Sequence, residues 1–502
     1  MVDRLEPAEE PNTMPPPRDM EIELKLEATS VDLDMLAAAP LLAGVSIEEK
    51  RQVSTYFDAP GLPLRAAGFS LRIRRIGDRH VQTVKAESAT SAGLFARPEW
   101  ERDVVDDRSV TDESAGPLTS LFPAETLEGL SPVFTISVIR RTALIDHEGS
   151  SIELVLDVGE IQAGDRTEAI AEAELELKSG RADALFSFAR AMNDVIPLHL
   201  GVLAKSERGY GLARGGGKKA IKAEDAAVSG DLTTAEAFQR IAGSCLRQFR
   251  LNEAVLARTD RVEALHQARV ALRRLRSALS IFRPVLRDAR FDHFRDELRW
   301  LAAALGEARD IDVLIGRGGD YDMETLRTAR DASYVAVHAA LASARARSLM
   351  IDLSEWIAIR GWRMEAIDSA LPERPAAPFA AETLDRLRRR LRRRGRDLGK
   401  LSDDQRHQVR ILAKKMRYAA GFFAGLFPGK KPLRRAGRFL AALAELQEHL
   451  GDLNDLAHGN VVLGRLGLAD LAAPPPPGRR RTLIAAAADA HEVFADAKPF
   501  WR

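Results

Sequence analysis

At 502 residues, with 45% hydrophobic and 29% charged side chains, the chain is too long for one ordinary core and has no stretch apolar enough to span a membrane. Its net charge of +1 hides a split: residues 1–220 carry 37 acidic and 25 basic side chains and residues 221–502 carry 36 and 49, charges of −12 and +13. Cys245 is alone, which excludes an intrachain disulfide and suits a cytoplasmic setting.

Residues 1–19, with Pro11 and Pro15-Pro16-Pro17 amid mixed charge and no apolar run, predict a disordered leader rather than a signal peptide. Period-two alternation then predicts strands over 20–27, 69–76, 81–86, 98–105, 133–145, 151–162 and 170–178, with helices over 31–42 and 181–193 between them. Seven or eight strands in one unit imply a closed barrel or a strongly curved sheet. Residues 213–230, containing Gly215-Gly216-Gly217 and Lys218-Lys219, predict a flexible linker. Residues 231–502 turn Ala/Leu/Arg-rich with 3.6-residue periodicity, broken by proline-rich loops at 372–378 and 474–477, so this half is all-helical. It also repeats itself. His266-x-x-Arg269-x-x-x-Arg273-Arg274-x-Arg276 returns as His407-x-x-Arg410-x-x-x-Lys414-Lys415-x-Arg417, and Leu305-Gly-Glu-Ala-Arg-Asp310 is followed by Leu450-Gly-Asp-Leu-Asn-Asp455. Two ordered matches imply a duplicated bundle with a pseudo-twofold axis. The fold class is α+β and multidomain.

The predicted strands place charge on one face and aliphatic residues on the other. Glu21, Glu23 and Lys25 come first, then Arg72 and Arg74, Lys85, Glu99 and Glu101, Arg140, Glu153 and Asp157, and last Glu172, Glu174, Glu176 and Lys178. Ile22, Leu24, Leu71, Ile73, Trp100, Leu154, Leu156, Leu175 and Leu177 lie opposite. A solvated sheet face ordinarily mixes Thr, Ser and Gln with its charges. Here like charges stand at i, i+2, where they repel unless a counter-ion separates them. Such carboxylates suit a hard divalent cation, and the interspersed guanidinium groups suit phosphate oxygens. The face is expected to line a site.

In order, Glu21-x-Glu-x-Lys25, Leu71-Arg-x-Arg74, Thr83-Val-Lys85, Glu99-Trp-Glu101, Ile152-Glu-Leu-Val-Leu-Asp157, Glu172-Ala-Glu-Leu-Glu-Leu-Lys-Ser-Gly180 and Ala204-Lys-Ser-Glu-Arg-Gly209 resemble the CYTH domain of the triphosphate tunnel metalloenzymes, over residues 20–212. The resemblance implies an eight-stranded antiparallel β-barrel with covering helices, and a polar lumen that takes a triphosphate and Mg²⁺ or Mn²⁺. It implies that Glu21, Glu23, Asp157, Glu172, Glu174 and Glu176 hold metal and that Lys25, Arg72, Arg74, Lys85, Arg140, Lys178 and Lys205 meet phosphate oxygens. Of these, Glu21, Glu23, Lys25 and Lys85 are the catalytic candidates, and Glu99, Glu101 and Glu153 are expected to orient the others. One position departs from the family pattern: Ser137 stands where relatives commonly carry an acid ahead of the sixth-strand arginine, which implies an altered network around Arg140.

On a helical wheel His266, Arg269, Arg273 and Arg276 fall within an arc of about 80°, and His407, Arg410, Lys414 and Arg417 do the same. Solvation explains most such faces, but identical spacing in two repeats and few balancing acids at i±4 lower that reading. The duplicated motif resembles the CHAD domain, which binds inorganic polyphosphate, and on that resemblance Arg274 and Lys415 join the binding set. Nucleic acid would use the same electrostatics and is the less favoured ligand. The expected activity is metal-dependent hydrolysis of inorganic triphosphate, with thiamine triphosphate or nucleoside triphosphates as alternative substrates. A polyphosphate-binding scaffold with a vestigial barrel is the alternative class.

Overall fold

The computed structural model describes residues 19–86, 92–111, 117–216, 219–286, 288–317, 323–363, 370–465 and 478–502. The expected leader up to residue 18 and the proline run at 474–477 lie outside the described residues. The chain divides into two compact units, Met1–Gly217 and Lys218–Arg502.

The first unit contains β1 (Asp19–Glu27), β2 (Glu48–Asp58), β3 (Phe69–Ile76), β4 (Arg79–Ala86), β5 (Leu94–Val104), β6 (Ser131–His147), β7 (Ser150–Ala163), β8 (Arg166–Ser179) and the two-residue β9 (His199–Leu200). The strand order is β5-β4-β3-β2-β6-β7-β8-β1, and pairing of β1 with β5 closes the ring. Every pairing is antiparallel, so the expected eight-stranded barrel is present, with β9 added beside Leu26 of β1.

Among the described residues six α-helices accompany the strands: α1 (Ser30–Ala37), α2 (Pro63–Ala66), α3 (Leu118–Leu121), α4 (Ala124–Glu128), α5 (Asp183–Val195) and α6 (Lys205–Ala213). Thr29 caps α1 by accepting from the Asp32 amide, and Pro40 opens a separate 3-10 turn, so the single helix expected over 31–42 is two pieces. Outside the barrel, Phe57, Leu71, Ile73 and Val84 pack against Leu64 of α2, Leu118 of α3 and Leu127 of α4. Each such fully buried Leu or Ile contributes about 1.5–3 kcal/mol over leaving it in water.

Alternation also decides what fills the interior. Phe134, Ile136 and Val138 share the inward face of β6 with Arg140, and Ile161 and Ile170 do the same on β7 and β8. These residues form one cluster with Tyr56 and with Tyr210 and Leu212 of α6. One end of the lumen is therefore apolar and capped by α6; the charged positions lie beyond it.

Among its described residues the second unit is all-helical apart from one isolated bridge: α7 (Thr234–Leu256), α8 (Val262–Phe282), α9 (Phe291–Ala304), α10 (Gly306–Arg317), α11 (Met323–Ala342), α12 (Ala344–Ile359), α13 (Ala376–Arg394), α14 (Asp403–Phe423), α15 (Lys430–Arg465) and α16 (Arg479–Asp496). The offset of 141 residues between His266 and His407 also relates Phe238 to Phe379 and Phe282 to Phe423. Phe282 stacks on Phe379 at 5.1 Å and meets Phe423 edge-on at 5.7 Å and Phe238 at 5.4 Å, so the two copies share one aromatic centre. The starts of α7 and α13 exchange bonds: the Ala235 amide donates to the Pro372 carbonyl and the Ala376 amide to the Leu232 carbonyl. No described helix is long and apolar enough to cross a membrane.

Candidate active site and basic helix faces

The charged part of the lumen is a cavity of about 240 Å³. Among the described residues lining it are seven carboxylates (Glu21, Glu23, Glu99, Glu101, Glu153, Glu174, Glu176) and eight cations (Lys25, Arg72, Arg74, Lys85, Arg97, Arg140, Lys178, Lys205). Near balance lets so many charges be buried together, but they are not evenly spread.

Cross-strand register sorts the acids. Glu23 of β1 lies opposite Glu176 of β8, which in turn lies opposite Glu153 of β7, so three carboxylates stand side by side at one level. Burial pushes the Glu176 carboxyl up, Glu21 and Glu153 add to the shift, and Lys178, donating at 2.7 Å, only partly offsets it. Like charges directly opposite on adjacent strands destabilise a sheet, and a cation among them removes that cost.

Deeper, the pairing is tight. Asp157 is fully buried and takes Arg140 through Nε at 2.8 Å and Nη2 at 2.5 Å, and Lys205 at 2.8 Å. Glu172, 2% exposed, pairs with Lys205 and with Arg208 at 3.3 Å. Glu174 receives Lys25, Lys205 at 3.0 Å and Arg140 at 3.4 Å. Burial alone would raise the Glu174 carboxyl, but Lys205, Lys25 and Arg140 hold it well below the ordinary range.

On the opposite wall the balance reverses. Arg72 and Arg74 project from β3, with the nearest acid to Arg72 being Glu99 at 3.7 Å and with no ion pair for Arg74 among the described residues. The Nε of each is buried without a hydrogen-bond partner. Burial, with Arg72 and Arg140 close by, depresses Arg74 to about 9. A guanidinium stays protonated in proteins, so an anion, not deprotonation, is what relieves this crowding. Tyr56 lies in register with Arg72; burial would raise its phenol, yet Arg72, Arg74 and Lys85 together lower it. Lys85 donates to Glu21 at 2.7 Å and pairs with Glu99 at 3.0 Å.

In the helical unit, burial and the nearby Arg309, Arg273 and Arg269 lower the His266 imidazole. Arg269 donates to the Ala302 carbonyl at 3.0 Å, and the Arg273 Nε is buried without a hydrogen-bond partner. In the second copy His407 meets Asn454 at 2.8 Å and Arg417 donates to Gln447 at 3.1 Å. Arg274 and Lys415 are not part of these faces. Arg274, 8% exposed, donates to Gln248 at 2.7 Å and lies over Phe422, while Lys415 donates to Ser280 at 2.5 Å. The reason is helical: each follows its face residue, Arg273 or Lys414, by one position and so is turned about 100° away.

A family model for the CYTH domain matches residues 19–210 and one for the CHAD domain matches 240–463. The chain is a CYTH domain followed by a CHAD domain. A Haemophilus influenzae protein named inorganic triphosphatase is 32% identical over 195 residues, covering 38% of this chain and 54% of that protein. An uncharacterized Mycobacterium tuberculosis protein is 32% identical over 181 residues, 32% of this chain and 34% of that protein. The chain thus spans between a third and about half of the length of these relatives. Among solved structures, the CHAD domain from the plant Ricinus communis is 32% identical with a TM-score of 0.42, covering 56% of this chain and 94% of that one. A putative adenylyl cyclase from Hippeastrum, described as having a dominant triphosphatase activity, is 18% identical with a TM-score of 0.31, covering 39% and 96%.

The CYTH barrel brings Glu21, Glu23, Lys25, Arg72, Arg74, Lys85, Glu99, Glu101, Arg140, Glu153, Glu174, Glu176, Lys178 and Lys205 to one cavity. Asp157 and Glu172 do not line it; they hold Arg140, Lys205 and Arg208 from behind. Ser137 has the opposite parity to Arg140 on β6 and faces outward, so the altered network expected around Arg140 does not arise there. Arg97 was missed: it is buried and pairs with Glu23, and with Glu21 at 3.5 Å. Its place two residues before Glu99 was the available signal, hidden because the strand begins at Leu94 and not at 98. Tyr56 was missed as well, because β2 was not expected, and Thr83 and Arg208, though part of the quoted motifs, were given no role.

Proposed function

We propose that the CYTH barrel hydrolyses inorganic triphosphate to diphosphate and phosphate with the aid of Mg²⁺ or Mn²⁺, and that the CHAD domain binds inorganic polyphosphate. The observation that carries the first part is the pair Arg72 and Arg74, half-buried with each Nε sealed off and unbonded, crowded and short of carboxylate partners, across one small cavity from the Glu23–Glu176–Glu153 row.

A divalent cation fits the donor set, since hard ions prefer carboxylate oxygens and, in the row, Glu176 and Glu153 share the one ammonium of Lys178. Among the described residues no three acidic, imidazole or thiolate groups already converge on one point; Glu21, Glu23, Glu174 and Glu176, now neutralised by Lys85, Lys25 and Lys178, are the residues that would hold the ion. When bound, it would supply charge neutralisation at phosphate oxygens and lower the pKa of water. The chain's own part is positioning. Arg72 and Arg74 offer forks to the anion, Lys25 and Lys85 place ammonium groups between acid and phosphate, and Asp157, Glu172 and Arg208 fix Arg140 and Lys205. Because the walls are already oriented in a largely buried site, each donor to the developing charge is worth about 2.7–4 kcal/mol.

Substrate size follows from the lining. Tyr56 is the one aromatic among the described lining residues, and it is stacked on Phe134 at 4.5 Å, so no ring is free to carry a nucleobase or thiazole. This favours inorganic triphosphate. Phosphate release from tripolyphosphate, ATP and thiamine triphosphate, compared by kcat/KM with each metal, tests it; a preference for ATP overturns the substrate.

For the CHAD domain the support is two like faces of His and Arg built on one repeat. Polyphosphate affinity that falls with salt, and that Arg273→Ala combined with Lys414→Ala weakens, is the expected result. Efficient displacement by a nucleic-acid duplex or single strand overturns it.

A further inference from the structure

The arginine run Arg388–Arg394 has no part in either site above. Its members divide: Arg393 and Arg394 are exposed at the end of α13, where cations complement the helix dipole, and that suffices to explain them. Arg388, Arg389 and Arg392 instead line, with Arg396, Lys400 and Arg502, a cleft of about 830 Å³ between the end of α13, the turn after it and α16. Facing these six cations are Asp385, Asp397 and Glu492. Asp385 is already engaged, accepting from the Trp501 indole at 2.9 Å and from Arg502 at 2.6 Å.

The cleft is built, not a loose helix end. Arg388 donates to the carbonyls of Ala495 and Ala497, each at 2.9 Å, and its Nε is buried without a hydrogen-bond partner. His491 donates through Nε2 to the Leu391 carbonyl at 3.2 Å, which brings α16 against the end of α13. That approach requires Gly395, where a Cβ would overlap the His491 ring.

We propose that this cleft binds a short linear oligophosphate, of the diphosphate or tripolyphosphate type, separately from the faces that carry His266 and His407, none of whose motif residues line it. The Cβ atoms of residues three and four apart on one helix, as Arg389 and Arg388 are from Arg392, stand about 5–6 Å from each other. A single phosphate cannot span such a row, whereas a chain of them presents successive oxygens to successive guanidinium forks. No Phe, Tyr or Trp is among the described lining residues, so the stacking surface that single-stranded nucleic acid uses is missing.

Hydrogen exchange of the full chain, with and without diphosphate or tripolyphosphate, reads the site locally. Protection is expected in peptides spanning 388–400 and 488–497, lost in Arg392→Glu with Arg396→Glu, and kept in Arg393→Glu with Arg394→Glu, which change the charge equally outside the cleft. If the first double variant does not fold, Arg392→Gln with Arg396→Gln takes its place. No protection, protection that survives the lining substitutions, equal loss in both variants, equal protection by sulfate at matched ionic strength, or protection by an oligonucleotide but not by tripolyphosphate would each overturn the proposal.

Discussion

Arg74 is a side chain whose charge costs stability and which the proposed hydrolysis would use. Its charge is crowded by Arg72 and Arg140 with little to balance it. Arg74→Met is therefore expected to lower kcat/KM for tripolyphosphate by about 10²-fold without lowering the melting temperature, as phosphate release and thermal unfolding would show. Glu21 and Glu23 separate in the opposite way. Lys85 keeps Glu99 at 3.0 Å if Glu21 is lost, but removing buried Glu23 strips a partner from both Arg97 and Lys25. Both alanine variants are expected to lose hydrolysis, and Glu23→Ala, which leaves Arg97 with Glu21 at 3.5 Å and Lys25 with Glu174, to lose the more stability, about 1.5–3 kcal/mol; equal denaturation midpoints for the two would refute the difference.

At the scale of elements, α6 does two things at once. Its Tyr210 and Leu212 fill the apolar end of the lumen, and its first turn delivers Lys205 to the charged cavity. The helix comes this close because Gly209 lies against Phe134, where a Cβ would overlap the ring. Gly209→Ala should cost about 1–3 kcal/mol by overpacking and reduce turnover by shifting Lys205, both measurable on the same sample. A variant with wild-type stability and turnover would mean that α6 is not held by this contact.

At the scale of the molecule, both units carry carboxylates held below their ordinary values, and the helical unit adds a lysine that acts at the alkaline end. In the barrel Glu21, Glu101, Asp157 and Glu174 are held below their ordinary values, net of the burial that opposes it, by Lys85, Arg72, Lys205 and Arg140 among others. Carboxylates depressed in the folded state contribute stability that is present above the unfolded values, 4.5 for Glu and 3.8 for Asp, and is lost as pH falls through the folded ones. In the helical unit burial, with Arg386 and Arg390, takes Lys415 down from 10.5 to about 8. There the unfolded chain binds the extra proton, so this contribution to stability rises with pH between those two values. Calorimetry across pH is expected to show the barrel transition weakening in acid, and Lys415→Met to flatten the alkaline rise of the helical one.

Local periodicity settled much of this protein in advance. Alternation of charge and aliphatic residues is a property of the extended backbone, so it identified the inward face of seven strands; the 3.6-residue period and the repeated His-Arg motif likewise identified the helices and their duplication. Strand β2 escaped because Gln52 and Ser54 on one face and Glu49 and Arg51 on the other give no apolar alternation; it is a strand because the ring between β3 and β6 must be closed. Depth was equally illegible, since Asp157 and Glu153 share a strand and a face, yet Asp157 is sealed behind Arg140 and Lys205 and Glu153 lines the cavity. The sequence by itself determined which side chains point inward. Only the tertiary structure decided which of them stand side by side, because register and depth depend on partner strands distant in sequence, and it is register that sets Glu23, Glu176 and Glu153 across the lumen from Arg72 and Arg74.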